Sequence, residues 1–198
     1  AIVGFSELMA TEADPDQRKE FADLILVNNT LLLQIISDVL DLARIESGRI
    51  EIVRTKFDAR DLCREVAETF RLQVAEGVVL RLEDSLPRLQ LEDYKQGLHQ
   101  ILGNFVRNAV KFTTKGSITI GFSQRPGWFY VRDTGIGIPE EERAKIFDRF
   151  YKVDTFTQGT GLGLPICKNI AEQLGGRIGV DSAVGAGSCF WVEIPAGK

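Results

Sequence analysis

Gln158-Gly159-Thr160-Gly161-Leu162-Gly163-Leu164-Pro165 alternates glycine with other residues and runs straight into a segment with apolar residues at helical spacing. Glycine tolerates positive φ and lets a ligand approach the backbone, while a helix N-terminus presents unpaired N–H groups at the positive end of its dipole. The stretch therefore reads as a phosphate cradle or as a plain tight turn into a helix. Its third glycine comes one position too early for Gly-x-Gly-x-x-Gly, and no Gly-Lys-Ser/Thr follows, so it is neither of the two commonest phosphate loops. The residues around it have to decide.

Two upstream stretches bear on the choice. Asp133-Thr134-Gly135-Ile136-Gly137-Ile138-Pro139 follows a run that alternates like a strand, Phe129 to Arg132. A carboxylate there can accept a hydrogen bond from the amino group of a flat heterocycle while the glycines keep the backbone near the ring; the same residues also make an ordinary Asp-Gly turn. Further upstream, Asn104, Asn108 and Lys111 fall at i, i+4 and i+7 of a helix read from Tyr94 to Phe112, one stripe at about 100° per residue. Leu98, Ile101, Leu102, Phe105 and Ala109 lie beside the stripe on the face that would cover a sheet. Amide oxygens so placed can hold magnesium, directly or through water, and the lysine can meet a phosphate as a point charge; a solvated helix edge is the alternative. Phe147 and Phe150 read both as core and as a staple at the edge of a mobile loop.

The remaining pattern changes character near residue 49. Residues 1 to 10 read as the tail of a helix, Thr11 to Asp16 as a connector, and Gln17 to Ser47 as a long helix closed by Gly48. Its apolar positions, among them Phe21, Leu24, Leu31, Leu32, Ile35, Ile36, Val39, Leu42 and Ile45, recur by threes and fours. Burying each large aliphatic is worth roughly 1.5–3 kcal/mol, and two helices cannot enclose so wide a stripe. A second copy completing a four-helix bundle is the simplest cover; packing against the chain's own globular domain is the other. After Gly48 the chain reads as mixed α/β. Strands are expected at Ile50 to Arg54, Val78 to Leu82, Ser117 to Phe122, Phe129 to Arg132, Arg177 to Asp181 and Ser188 to Ile194, with a turn at Pro126-Gly127. Helices are expected from an Asp58 cap to Val74, near Glu140 to Phe147, and from Leu164 to Leu174. The expected class is a two-layer α/β sandwich preceded by a helical hairpin, with domains at 1–48 and 49–198.

Composition narrows the function classes. With 24 basic and 28 acidic residues, a net charge of −4 and no Lys/Arg block, a general nucleic-acid surface is not expected. Cys63, Cys167 and Cys189 are far apart and form no Cys-x-x-Cys pair, which suggests buried free thiols and a reducing, cytosolic compartment. No apolar run is read as approaching the ~20 residues that span a bilayer, so membrane contact is expected only through segments outside this sequence. The chain opens on Ala1 in the middle of a helical pattern and reads as a fragment.

Taken in order, Asn-x-x-x-Asn-Ala-x-Lys, Asp-x-Gly-x-Gly-x-Pro, Phe-x-x-Phe, Gly-x-Gly-x-Gly-Leu and a final Gly-x-Gly before a strand resemble the catalytic and ATP-binding domain of sensor histidine kinases. Residues 17 to 48 resemble the second helix of the dimerisation and histidine-phosphotransfer domain that precedes it. The resemblance covers essentially the whole chain, and the wording of Val131 to Phe156, Gly159 to Leu164 and Gly175 to Pro195 looks most like the cytoplasmic kinase modules of bacterial two-component systems. It implies ATP and Mg2+, a homodimer, and a response-regulator receiver domain as partner. Asn104 and Asn108 match the residues that hold magnesium, Lys111 the lysine on the phosphates, and Phe112 the aromatic beside the adenine. Asp133 matches the adenine-recognising carboxylate, with Gly135 and Gly137 as the floor of its pocket. Phe147 and Phe150 match the hinge of an ATP lid, Lys152 a basic residue facing the phosphates, and Gly159, Thr160, Gly161, Leu162 and Gly163 the loop that anchors the lid's other end. The implied reaction is in-line transfer of the γ-phosphoryl group to a histidine, by positioning and charge neutralisation, and onward to an aspartate.

The sequence departs from that pattern in two places. The single histidine, His99, lies on the helix of Asn104 but about 150° round from it, so it cannot serve as acceptor. At Tyr94 to Gly97, where the family commonly has an aspartate and an arginine, this chain has neither, although Leu98 and Gln100 match. Related ATPases carry a glutamate at the place of Asn104 to activate water; with asparagine no general base is present and slow hydrolysis is expected.

Overall fold

The computed structural model describes residues 1–46, 52–84, 86–123, 127–153 and 159–195. The expected helix end at Ser47 and Gly48, the start of a strand at Ile50, Pro126 of the turn, and Phe156 and Gln158 fall outside these residues.

Two helices come first, α1 (Ile2–Thr11) and α2 (Pro15–Glu46), packed against each other with Phe5 and Phe21 stacked at 6.1 Å between ring centroids. The α/β part then runs β1 (Thr55–Asp58), α3 (Ala59–Phe70), β2 (Val78–Leu82), β3 (Gln90–Asp93), α4 (Lys95–Phe112), β4 (Gly116–Phe122), β5 (Trp128–Asp133), α5 (Gly163–Gln173), β6 (Arg177–Ala183) and β7 (Gly187–Glu193). Five strands form one sheet in the order β2-β4-β5-β7-β6, in which only β2 and β4 run parallel. β1 and β3 pair antiparallel as a separate ribbon.

The period-2 alternation of the strands puts one row of side chains under the helices. Ile118 and Ile120 of β4, Phe129 and Val131 of β5, and Phe190 and Val192 of β7 are buried. Leu62 and Val66 of α3, Leu98, Ile101, Leu102, Phe105 and Ala109 of α4, and Ile166 and Ile170 of α5 close over them. The sheet-facing set read from α4 is thus the centre of the core, and the two-layer sandwich is as expected. Because α4 is rigidly seated by that face, the stripe beside it is fixed in direction.

Four expectations need correction. The strand predicted from Ile50 to Arg54 lies later, at Thr55–Asp58, because its partner β3 offers pairing only there. β3 was not anticipated at all; four residues with two acidic ones give no period signal. Asp58 does cap α3, accepting from the Arg60 backbone N–H at 2.9 Å, but the helix stops at Phe70. Phe70 is the last residue of its buried face, and Leu72 beyond it is 97% exposed. Glu140 to Phe147 is two 3₁₀ turns, Glu140–Glu142 and Lys145–Phe147, in which only Ile146 is buried, too little apolar surface to drive a longer helix. Finally, α2 is long and apolar enough to cross a membrane by length and composition, contrary to the reading that no run qualifies. Its apolar face is largely uncovered: Leu26, Val27, Leu32, Leu33, Ile36, Val39 and Leu40 are exposed.

Candidate functional site

Asp133 ends β5 with its side chain turned inward and buried. Its Oδ1 accepts from the backbone N–H groups of Gly135 at 2.8 Å and Ser188 at 3.3 Å. Burial raises its pKa above the ordinary value and these two donors pull it back down. The second carboxylate oxygen is left to recognise something else. The loop that follows is stitched to the β6–β7 turn: the Gly185 N–H donates to the Ile136 carbonyl at 2.7 Å, and the Ile138 N–H to Ser182 Oγ at 2.8 Å. Gly137 needs its glycine twice over, with φ +72 and the Ala183 carbonyl where a Cβ would stand. Gly135 is closed in by the Phe112 carbonyl, which also accepts from the Ile136 N–H at 3.3 Å. The end of α4 and the Asp133 loop are therefore one unit, and Phe112 is half-buried at their junction.

Asn104 sits mid-α4, buried, facing the start of α5. Its Nδ2 donates to the Gly163 carbonyl at 3.4 Å and to Cys167 Sγ at 3.3 Å, while the Arg107 guanidinium donates to its Oδ1 at 3.2 Å. The amide nitrogen is thus engaged by the start of α5 and the oxygen by Arg107. Asn108, one turn on, is half-buried, and Lys111 is exposed with Nζ 4.9 Å from the Phe112 ring centroid. That amine reaches the glycine loop, since a Cβ on Gly159 would stand 3.1 Å from it. Burial pushes the Cys167 thiol up to about 12, so it stays protonated, accepting from Asn104 and donating to the Ile101 carbonyl at 3.9 Å.

The glycine loop closes on the other predicted hinge. The Phe150 N–H donates to the Gly161 carbonyl at 3.0 Å, and Gly161, at φ +70, has the Phe150 Cα 2.8 Å from where a Cβ would be. Phe150 itself has φ +62, a strained conformation for a side chain of that size, and is 68% exposed. Phe147 is half-buried against the core, so of the two aromatics one anchors and the other stands out. Lys152 is half-buried beside Tyr151, whose hydroxyl donates to Glu142. Thr160 Oγ1 accepts from the Leu162 N–H at 3.1 Å, and Leu162 is buried.

The structure thus gathers most of the expected residues, Asn108 and Lys152 aside, into two groups along α4. Asp133, Gly135, Gly137 and Phe112 lie at its C-terminal end; Gly159 to Gly163 lie against Asn104 at its middle and Lys111 in its last turn. Oxygen donors from asparagine suit a hard cation, and among the described residues no group of three or more His, Cys, Asp or Glu offers an alternative metal site. A hollow of about 270 Å³ lined by Phe147 to Arg149 and by Pro165, Lys168, Asn169 and Glu172 shares no residue with these groups.

Several participants escaped sequence reading. Ser182 and Ser188, with hydroxyls 3.0 Å apart, brace the Asp133 loop from the last hairpin. Cys167 orients Asn104. The Tyr94–Gly97 departure has a packing reason, because the Tyr94 ring lies where a side chain at 97 would be, and Ile170 closes the other side. His99 is half-buried on α4, away from both groups.

Comparison with known proteins agrees with this geometry. Residues 93–198 match the family model described as histidine kinase-, DNA gyrase B-, and HSP90-like ATPase, and residues 1–48 match the His Kinase A (phospho-acceptor) domain. Sensor histidine kinase RcsC of Escherichia coli (strain K12) is 34% identical over 203 residues, covering 98% of this chain and 21% of that protein. Sensory/regulatory protein RpfC of Xanthomonas campestris pv. campestris (strain 8004) is 35% identical over 210 residues, covering 98% of this chain and 29% of that protein. The chain therefore spans between a fifth and a third of these relatives. Among solved structures, full-length ShkA in complex with AMPPNP superposes with TM-score 0.81 at 34% identity, covering 96% of this chain and 41% of that one. Histidine kinase ThkA in complex with response regulator protein TrrA superposes with TM-score 0.74 at 27% identity, covering 99% of this chain and 57% of that one.

Proposed function

The chain belongs to the histidine kinase-, DNA gyrase B- and HSP90-like ATPases, and among them to the sensor histidine kinases; from this premise we propose that it is a kinase core that binds ATP with Mg2+ and passes the γ-phosphoryl group to a histidine outside this sequence. The observation that carries the reading is the arrangement along α4: a buried carboxylate with a spare oxygen beyond its C-terminal end, and an amide–lysine stripe, from its middle to its last turn, facing a glycine loop. Asp133 accepts from the adenine amino group, and Phe112 with Gly135 and Gly137 shapes the ring's slot. Asn104 and Asn108 would hold the cation through their amide oxygens, the one on Asn104 now accepting from Arg107. Bound magnesium supplies charge neutralisation between the phosphates. Lys111 brings a second positive charge from the α4 side, Lys152 another from the lid, and the backbone from Gly159 to Gly163 meets the phosphates. Residues 1–48 serve as dimerisation and phosphotransfer helices and 49–198 as the catalytic domain. An aspartate on a response-regulator receiver domain takes the group next. The module works in the cytoplasm, and any membrane anchor belongs to other segments of the protein.

Asparagine at 104 leaves the site without a base for water, which favours transfer over hydrolysis. Calorimetry with magnesium and ATP, paired with phosphate-release kinetics, tests this. Saturable ATP binding with slow release is expected; rapid release abolished by Asn108→Ala would instead establish an ATPase.

A further inference from the structure

The glycine loop has a neighbour from outside the α/β part. Asp38 of α2 is only 5% exposed, and its two oxygens are both engaged: Oδ1 accepts from Gln34 Nε2 at 2.7 Å and Oδ2 from Thr160 Oγ1 at 2.7 Å. Thr160 in turn accepts from the Leu162 N–H at the start of α5. Both hydrogen-bonding roles of that hydroxyl are therefore filled, one by a carboxylate from the helical hairpin. Asp38 also lies close enough to act electrostatically on Cys167, which touches Asn104 directly. A second α2 contact, Gln100 Nε2 to Asp41 Oδ2 at 2.8 Å, holds the same stretch of helix on α4 away from the loop.

We propose that Asp38 is a residue of the nucleotide site supplied by the helical hairpin, and that its carboxylate on Thr160 competes with the terminal phosphate of ATP for the glycine loop. The inference rests on the nucleotide-binding reading above. The physical basis is that one feature attracts both anions: a glycine loop entering a helix N-terminus favours negative charge, and the protein's own carboxylate stands beside it, on the Thr160 hydroxyl. A triphosphate brought to the same loop meets an unscreened like charge in a partly buried setting, where Coulomb interactions are several times stronger than in water. Asp38 thereby sets affinity for the triphosphate without touching the base. By linkage, ATP weakens the α2 contact as much as the contact weakens ATP.

The test is calorimetric titration of the whole chain, Asp38→Asn and Asp41→Asn with ATP, ADP and adenosine in magnesium. Asparagine keeps the shape and an acceptor for Thr160 while removing the charge. Asp38→Asn should bind ATP about 3- to 10-fold more tightly, ADP with a smaller gain, and adenosine unchanged, and Asp41→Asn should match the parent throughout. Raising the salt concentration should narrow the ATP difference. Unchanged or weaker ATP binding in Asp38→Asn overturns the proposal, as does an equal gain for adenosine or an equal gain in Asp41→Asn, which would signify general undocking of α2. Failure of all three chains to bind ATP would overturn the nucleotide-binding reading itself, whereas equal ATP affinities overturn only the role of Asp38.

Discussion

Asp133 shows how a residue can be costly to the fold and useful to the site. Its folded pKa is raised, so relative to the unfolded chain it contributes stability below its ordinary value of 3.8, and that contribution is lost as pH rises through the folded value. At neutral pH the buried charge is therefore a cost. Asp133→Asn keeps an acceptor for the Gly135 N–H, and its thermal unfolding temperature at pH 7 should equal or exceed the parent's, with the gap closing as pH falls toward the ordinary aspartate range. ATP affinity should fall at least about tenfold, because the amino group loses a charged acceptor. Gly161 has the opposite balance of strain. A side chain there meets both a positive φ and the Phe150 backbone, so Gly161→Ala should cost about 1–2 kcal/mol in denaturant unfolding. Its effect on ATP binding, as a free energy, should be larger, since the substitution moves the loop and the lid base together; a large stability loss with affinity retained would contradict that role. Asp133, Gly135, Gly137 and the glycine loop were legible because their residue types serve few other purposes at strand and helix ends. Ser182, Ser188 and Cys167 were not, because they matter only through pairings 44 to 63 residues away along the chain that no local pattern carries.

Among the elements, α4 was read almost residue for residue, since a helix buried along one face imprints its period on the sequence. β1 and β3 were misplaced or missed because a short ribbon with four residue pairs is specified by its partner rather than by its own alternation. α2 is the element whose surface demands a partner. Leu33 and Leu40 are exposed on it together with Leu26 and Ile36, and singly scattered leucines do not form such a continuous seam. Changing Leu33 and Leu40 together to Asp should convert a dimer to monomer in sedimentation velocity. Nucleotide binding should survive, because neither residue belongs to the α4 groups. A double variant that remains dimeric would place the interface elsewhere and return this face to the membrane-span reading that its length and composition also allow.

At the scale of the molecule, the hairpin and the α/β part meet through polar contacts at Asp38 and Asp41, with the glycine loop directly beneath the first. The polar contacts themselves were not visible in the sequence, where packing of the long helix against the chain's own globular domain stood only as the alternative to a second copy. The family match covers both parts, so the chain joins an ATP site to the helices on which such kinases carry their acceptor. The only histidine here, His99, faces away from the site, and the acceptor must be supplied. The most direct measurement is incubation of the chain with γ-labelled ATP, magnesium and a separate phospho-acceptor helix bundle bearing a histidine, followed by treatment of the labelled protein with acid and with alkali. The account predicts label on the acceptor that is lost in acid, survives alkali and disappears with Asn108→Ala. Rapid release of inorganic phosphate with no label on the acceptor would contradict it.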